Sequence, residues 1–238
     1  MSYRMKTWPS FWKQHHTWIG AAITGLLVMG CYGFALRLPF FFDDLPIMTW
    51  LKNHTWADIW LSSENAYYRP LAFTIFKLGC LFPQGVRQIV LHSVNLLFHW
   101  ASAVLVMQVV KLCGRDAKQA LLASALFVLF PFIYLAVPWV TALCHLAVVL
   151  LTLLAVYAAL RAEHDDTIGW WALSLSATAL TLFAHESGVV CCAIVGGILL
   201  VQRGFWKRPR CASLASSSAE CSKLESFSCA AASPAWVG

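Results

Sequence analysis

Apolar residues in this chain come in long runs, and nearly all the charge sits in the short segments between them. An α-helix needs about 20 apolar residues to cross a hydrocarbon core about 30 Å thick. Six runs approach that length: 18–36, 88–110, 119–137, 139–160, 168–184 and 187–201. Pro39 follows the first run, and Phe40, Phe41 and Phe42 extend its apolar character past that kink. Pro131 interrupts the third run, and Pro138 permits a short turn before the fourth. Only His185 and Glu186 separate the fifth from the sixth, which predicts a tight helical hairpin. The pattern therefore predicts an all-α fold, a polytopic transmembrane bundle of about six spans within residues 18–203.

The segments between the runs set the topology. Residues 37–87 form a long first loop carrying Asp43, Asp44, Asp58, Glu64 and Arg69. Within it, 70–82 is apolar but too short to cross and contains Lys77, so it is expected to lie as a short helix at the membrane interface. Residues 1–17, with Arg4, Lys6 and Lys13, precede a run too long for a signal-peptide core and without a small-residue cleavage site, so that run is expected to be retained. Lys and Arg gather in 1–17, at Lys111, Arg115, Lys118 and Arg161, and in 203–210. The opposite segments hold only Arg37, Lys52, Arg69, Lys77 and Arg87. This bias predicts a cytoplasmic N-terminus, with the first loop and the His185–Glu186 turn on the extracytoplasmic or luminal side. The expected location is a membrane: the cell inner membrane in a bacterium, the endoplasmic reticulum in a eukaryote.

The last segment, 204–238, is first basic and then, from Cys211, rich in Ser and Ala without hydrophobic periodicity; it is expected to be disordered. It looks foreign to what precedes it, as a truncated or frame-shifted gene product would.

Composition agrees with the runs. The chain of 238 residues is 60% hydrophobic and 12% charged, about half the charged fraction usual in a soluble domain. The net charge of +6 does not suggest nucleic acid, because the basic residues sit at the ends of apolar runs instead of clustering with exposed aromatics. Nine cysteines are scattered without a CxxC pair, and Cys31, Cys144, Cys191 and Cys192 lie inside apolar runs. They read as buried thiols, and neither a metal site nor a cofactor is expected.

Ionisable and polar groups at membrane depth are costly, so four constellations are functional candidates. Asp43 and Asp44 emerge where the first span leaves the bilayer. There a carboxylate can act as general base toward an acceptor hydroxyl, or the pair can simply cap the next helix. Tyr68 and Arg69 offer a ring at headgroup depth and a fork suited to a phosphate; alternatively they are an interfacial anchor. His92, Asn95 and His99 share one face of the second span, as substrate contacts or as polar glue between helices. A metal reading of these histidines would recruit His145, the only further candidate. His185 and Glu186 occupy the outer turn, where Glu186 can pair with Arg69, orient substrate or face solvent. Position 189 is Val, so an HExxH zinc motif is absent.

Taken in order, these pieces resemble the GT-C superfamily of membrane glycosyltransferases, closest to protein O-mannosyltransferases and their relatives with tetratricopeptide repeats. The matching residues are Phe42-Asp43-Asp44, Tyr68-Arg69-Pro70-Leu71 and the stretch from His92 to His99. The stretch from Ala120 to Phe127 with Pro131, then Val137-Pro138-Trp139-Val140, and finally Leu182-Phe183-Ala184-His185-Glu186-Ser187 complete the match. The resemblance implies transfer of a sugar from a polyprenyl-phosphate donor to a hydroxyl on a protein, lipid or glycan acceptor. It gives Asp43, with Asp44 beside it, the catalytic position. Arg69, Tyr68, His92, Asn95, His99, His185 and Glu186 become substrate-binding. Two departures stand out: the family's usual lysine before the glutamate is His185 here, and the histidine expected beside Pro131 is Phe130. The alternative is a non-catalytic multi-pass membrane protein that binds lipid carriers or partner subunits.

Overall fold

A computed structural model describes residues 10–61, 67–165 and 167–206; the expected tail beyond Trp206, Glu64 and the basic residues Arg4 and Lys6 lie outside these. Among the described residues all regular structure is helical. Ten α-helices follow one another: α1 Ser10–Tyr32, α2 Asp44–Asn53, α3 Trp56–Leu61, α4 Pro70–Gly79, α5 Gln84–Leu112, α6 Ala117–Val128, α7 Ile133–Ala136, α8 Leu143–Asp165, α9 Ile168–Ala184 and α10 Val189–Trp206. Single 3-10 turns at Gly33–Arg37, Val140–Ala142 and Glu186–Gly188 lead out of α1, into α8 and into α10.

Three segments are long and apolar enough to cross a membrane: Thr17–Arg37, Gln84–Leu112 and Val140–Asp165. Only 33%, 39% and 50% of their apolar windows are buried inside the protein. Much of the rest is exposed hydrocarbon, with Leu26 and Leu97 each more than half exposed, as are Leu122 and Leu126 of the shorter α6. A water-soluble monomer does not leave apolar surface on that scale uncovered, whereas lipid covers it without penalty. Three such apolar helices are compatible with a membrane protein.

The expected third run is broken. α6 stops at Val128, a length of about 18 Å at 1.5 Å per residue, and α7 adds one turn after an irregular link at Leu129–Phe132. Pro131 accounts for the interruption, since it lacks the N–H that a continuing helix requires. The first loop contains three helices, α2, α3 and α4, and α4 begins with Pro70 at the position where a proline ring costs nothing.

α5 is the hub, packing against α1, α6 and α8, while α8 also packs along α9. Little hydrophobic force separates lipid from leucine, so these contacts rest on small residues and polar bridges. Ala155, Ala158, Ala159 and Ala162 of α8 are buried, as are Ser174, Ala177, Thr181 and Ala184 of α9. Ser174 donates to the Ala155 carbonyl at 2.9 Å and Ser124 to the Ala103 carbonyl at 2.7 Å. Trp100 Nε1 donates to the Ala21 carbonyl at 2.9 Å, and the Tyr32 hydroxyl to the Val128 carbonyl at 2.8 Å. The last pair ties α1 to the open end of α6 and satisfies a carbonyl left free by the Pro131 break.

Under the first loop lies a second core of Met48, Leu51, Ile59, Phe73, Phe76, Leu91, Val140 and Leu143. Lys77 of α4 donates to the Leu51 carbonyl at 3.0 Å and to the His54 carbonyl, so a cation caps the C-terminus of α2. The loop is therefore a packed layer over one end of α5 and α8.

Candidate functional site

The two adjacent aspartates part company. Phe42 has φ 49°, in the left-handed region that an aromatic residue rarely occupies. Past this reversal Asp43 is exposed and Asp44 is completely buried. Asp43 caps nothing with its side chain. It lies on the wall of a groove of about 540 Å³ whose other lining residues are apolar, among them Phe34, Phe41, Tyr134, Leu135 and Trp139. Asp44 is enclosed by donors: Thr141 N at 2.8 Å and the Thr141 hydroxyl on Oδ1, and Phe41 N at 3.0 Å on Oδ2. Burial pushes its carboxyl up from the ordinary range, against the three hydrogen bonds that favour the anion. Asp44 thus pins the start of α2 to the 3-10 turn that opens α8.

One turn further on, the same segment meets Arg69. Cys144 donates from Sγ to the Thr141 carbonyl at 3.3 Å, and Arg69 Nη1 lies 3.7 Å from Cys144 Sγ. The Arg69 fork closes on Glu186, with Nε to Oε2 and Nη2 to Oε1 both at 3.0 Å. The Tyr67 ring lies under the guanidinium at 4.4 Å from its centroid. The Arg69 side chain is mostly buried while that of Glu186 is 53% exposed, so the pair opens to the surface through the glutamate. The fork holds the Glu186 carboxyl below its ordinary range.

His185 follows α9 in extended backbone, which carries its ring over the first turn of α8. Its centroid lies 4.2 Å from that of His145, and its Nδ1 lies 2.9 Å from Ser187 Oγ and 3.1 Å from Glu186 Oε2. Partial burial, with Arg69 and His145 nearby, pushes the His185 imidazole down from its ordinary value. Gly188 makes the turn possible, because a Cβ there would stand 2.3 Å from the Thr181 carbonyl oxygen.

Tyr68 turns away from this cluster, its hydroxyl donating to the Trp60 carbonyl at 3.1 Å. His92, Asn95 and His99 are buried inside the bundle. His92 Nε2 donates to the Leu38 carbonyl at 3.1 Å, and Gln88 donates to the same oxygen. Asn95 Nδ2 donates to the carbonyls of Val137 and Trp139 at 3.1 and 2.8 Å. The His99 ring meets Tyr32 edge-on and Phe127 at centroid distances of 5.3 Å. These three residues hold backbone and rings in place beneath the loop, and none of their bonds reaches Arg69 or Glu186.

The structure therefore joins Asp44, Arg69, His185 and Glu186 through Thr141, Cys144 and His145, three residues at the head of α8 that spacing did not single out as a group. Tyr134, which lines the groove beside Asp43, carries no signal in the sequence pattern, whereas Trp139 belongs to the Val137-Pro138-Trp139-Val140 stretch that bears the resemblance. The only available signal was the Pro138 break, which places such residues on an irregular segment at the same end as the first loop. No family model, curated protein or solved structure matches the chain.

Proposed function

We propose that the chain is the membrane part of a GT-C-type glycosyltransferase, moving a sugar from a polyprenyl-phosphate donor to a hydroxyl acceptor. The observation that carries this reading is Asp43, an exposed carboxylate on the wall of an otherwise apolar groove at the end of a membrane-crossing segment. An apolar groove suits an isoprenoid or lipid chain, and a carboxylate at its wall is positioned to take a proton from the attacking hydroxyl. Asp44 holds the loop that presents Asp43. Arg69 is the phosphate-facing group, its fork exchanging Glu186 for the carrier phosphate, with Tyr68, His185, Glu186 and the buried His92, Asn95 and His99 shaping and supporting the pocket. Rate enhancement then comes from position and charge.

In this reading α1, α5, α6 with α7, α8, α9 and α10 make six crossings, and α2 to α4 lie at the interface. The N-terminus is cytoplasmic, and the Asp43 and Glu186 ends face outward or into the lumen. Lys111 and Arg161 lie toward the opposite ends of their helices, as the positive-inside bias requires. The acceptor is a protein, lipid or glycan hydroxyl.

The test is sugar transfer by reconstituted protein with a polyprenyl-phosphate-linked donor. Asp43→Asn should lower turnover by about 10²- to 10⁴-fold while Tm stays within a degree or two. Unchanged transfer removes Asp43 as base. Donor binding without turnover in the parent protein instead identifies a non-catalytic carrier-binding protein.

A further inference from the structure

We propose that Cys144, His145 and His185 form a binding site for a zinc-like divalent metal ion at the junction of α8 and α9. One ligand atom from each of the three lies within 4.8 Å of the other two. Tetrahedral zinc with Zn–N near 2.0 Å and Zn–S near 2.3 Å holds its donors about 3.5 Å apart. Closing that gap takes a shift of about 1 Å, which rotation of two imidazoles supplies, since the His145 side chain is exposed and His185 stands on a turn.

The backbone has already gathered the three groups. Cys144 and His145 are consecutive in the first turn of α8, and the close approach at Gly188 fixes the turn that swings His185 above them. The donor set of one thiolate and two imidazoles suits zinc and copper better than magnesium or calcium, which prefer oxygen. The outer shell fits as well. A metal-bound histidine donates its other ring N–H to a carboxylate or similar acceptor, and His185 Nδ1 lies 3.1 Å from Glu186 Oε2 and 2.9 Å from Ser187 Oγ. Binding through Nε2 puts the proton on Nδ1 and gives up the bond that Nδ1 accepts from Ser187 N. Arg69, 3.7 Å from the sulfur, provides the counter-charge for a thiolate but also opposes a second cation. Three protein ligands leave a fourth position open on the exposed His145 side, the arrangement of an accessible ion rather than a closed structural one.

This proposal does not depend on the transferase reading, because its readout is the metal alone. Purified full-length protein is titrated with Co²⁺, the spectroscopic substitute for zinc, without sugar donor. One Co²⁺ per chain is expected, with tetrahedral visible bands and a thiolate-to-cobalt charge-transfer band in the near ultraviolet, both displaced by Zn²⁺. Cys144→Ser should abolish the charge-transfer band, and His145→Asn and His185→Asn should each remove the tetrahedral spectrum. Glu186→Gln should weaken affinity roughly 10- to 100-fold as an outer-shell change. Cys191→Ser, at a buried thiol outside the cluster, should leave the spectrum intact. Apo Tm values of the variants establish that each is folded. A charge-transfer band that survives Cys144→Ser, or no stoichiometric Co²⁺ on folded parent protein, overturns the proposal.

Discussion

Arg69 and Glu186, 117 residues apart, close a bidentate ion pair with both N–O distances at 3.0 Å. One partner comes from the segment before α4 and the other from the turn after α9, so the pair ties the first-loop layer to the turn that joins α9 to α10. The guanidinium is largely buried and the carboxylate is half exposed. Breaking the pair therefore leaves the more costly partner behind, although solvent at Glu186 reduces what the bond contributes.

Glu186→Gln should lower Tm by about 1–4 °C at pH 7, as expected for a contribution near 1 kcal/mol or less in a chain of this size. The effect should depend on pH. The Glu186 carboxyl sits below its ordinary value of 4.5, so its contribution is complete above that value and disappears as pH falls through the folded value. The groups facing it are Arg69, His185 and His145. His185 is also pushed down from 6.5, so it too withdraws stability on acidification, starting at higher pH. Thermal melts from pH 8 to pH 3 separate the two: Glu186→Gln should abolish only the acidic limb. A limb that persists assigns it elsewhere.

Asp44 should be needed for folding more than for chemistry. Asp44→Ala leaves Phe41 N, Thr141 N and the Thr141 hydroxyl without their acceptor in a buried place. A cost of about 3 kcal/mol follows, roughly 6–12 °C in Tm. Thr141→Val removes one of those donors, so the double variant should lose less than the sum of the singles, with a coupling of about 1 kcal/mol. Strict additivity of the melts would show that the two side chains do not cooperate.

Some of this arrangement was legible in the residue pattern and some was not. The apolar runs place the helices because hydrophobic length is a local property; the fifth run, 168–184, coincides with α9 from end to end. The third is split into α6 and α7 around the interruption that Pro131 marks in the sequence, because one proline outweighs a favourable apolar average. The adjacency of Asp43 and Asp44 was visible, but which one faces inward depends on the sign of φ at Phe42, which no propensity for an aromatic residue anticipates. The grouping of Cys144 and His145 with His185 was invisible, since it exists only once α8 and α9 close on each other. Cys144 alone reads as an inert buried thiol.

Gly188→Ala should damage the outer turn directly. The new Cβ meets backbone, the Thr181 carbonyl oxygen at 2.3 Å, and neither side can rotate away. A loss of about 1–3 kcal/mol is expected, together with faster exchange of the amide protons around residues 181–188. Gly30 in α1 has nothing within 4 Å of such a Cβ, so Gly30→Ala should be neutral or slightly stabilising. Equal responses at the two glycines would remove the steric argument.

The reversal at Phe42 makes the sharpest test of how Asp43 is presented. A non-glycine residue at φ 49° costs about 1–2 kcal/mol relative to right-handed backbone, and a β-branched side chain is the least tolerant there. The Phe42 side chain returns little of this, being 78% exposed and touching the Phe41 and Trp139 rings only edge-on, at 5.3 and 5.9 Å. Phe42→Asn, which accepts left-handed backbone, should keep Tm within about 2 °C of the parent and preserve the proposed sugar transfer. Phe42→Val should lower Tm by several degrees and reduce transfer more than Asn does, because relaxing the backbone moves Asp43 off the groove wall. The comparison is read from paired melts and turnover on the same preparations. If Val and Asn behave alike in both, the left-handed turn is not what sets the position of Asp43.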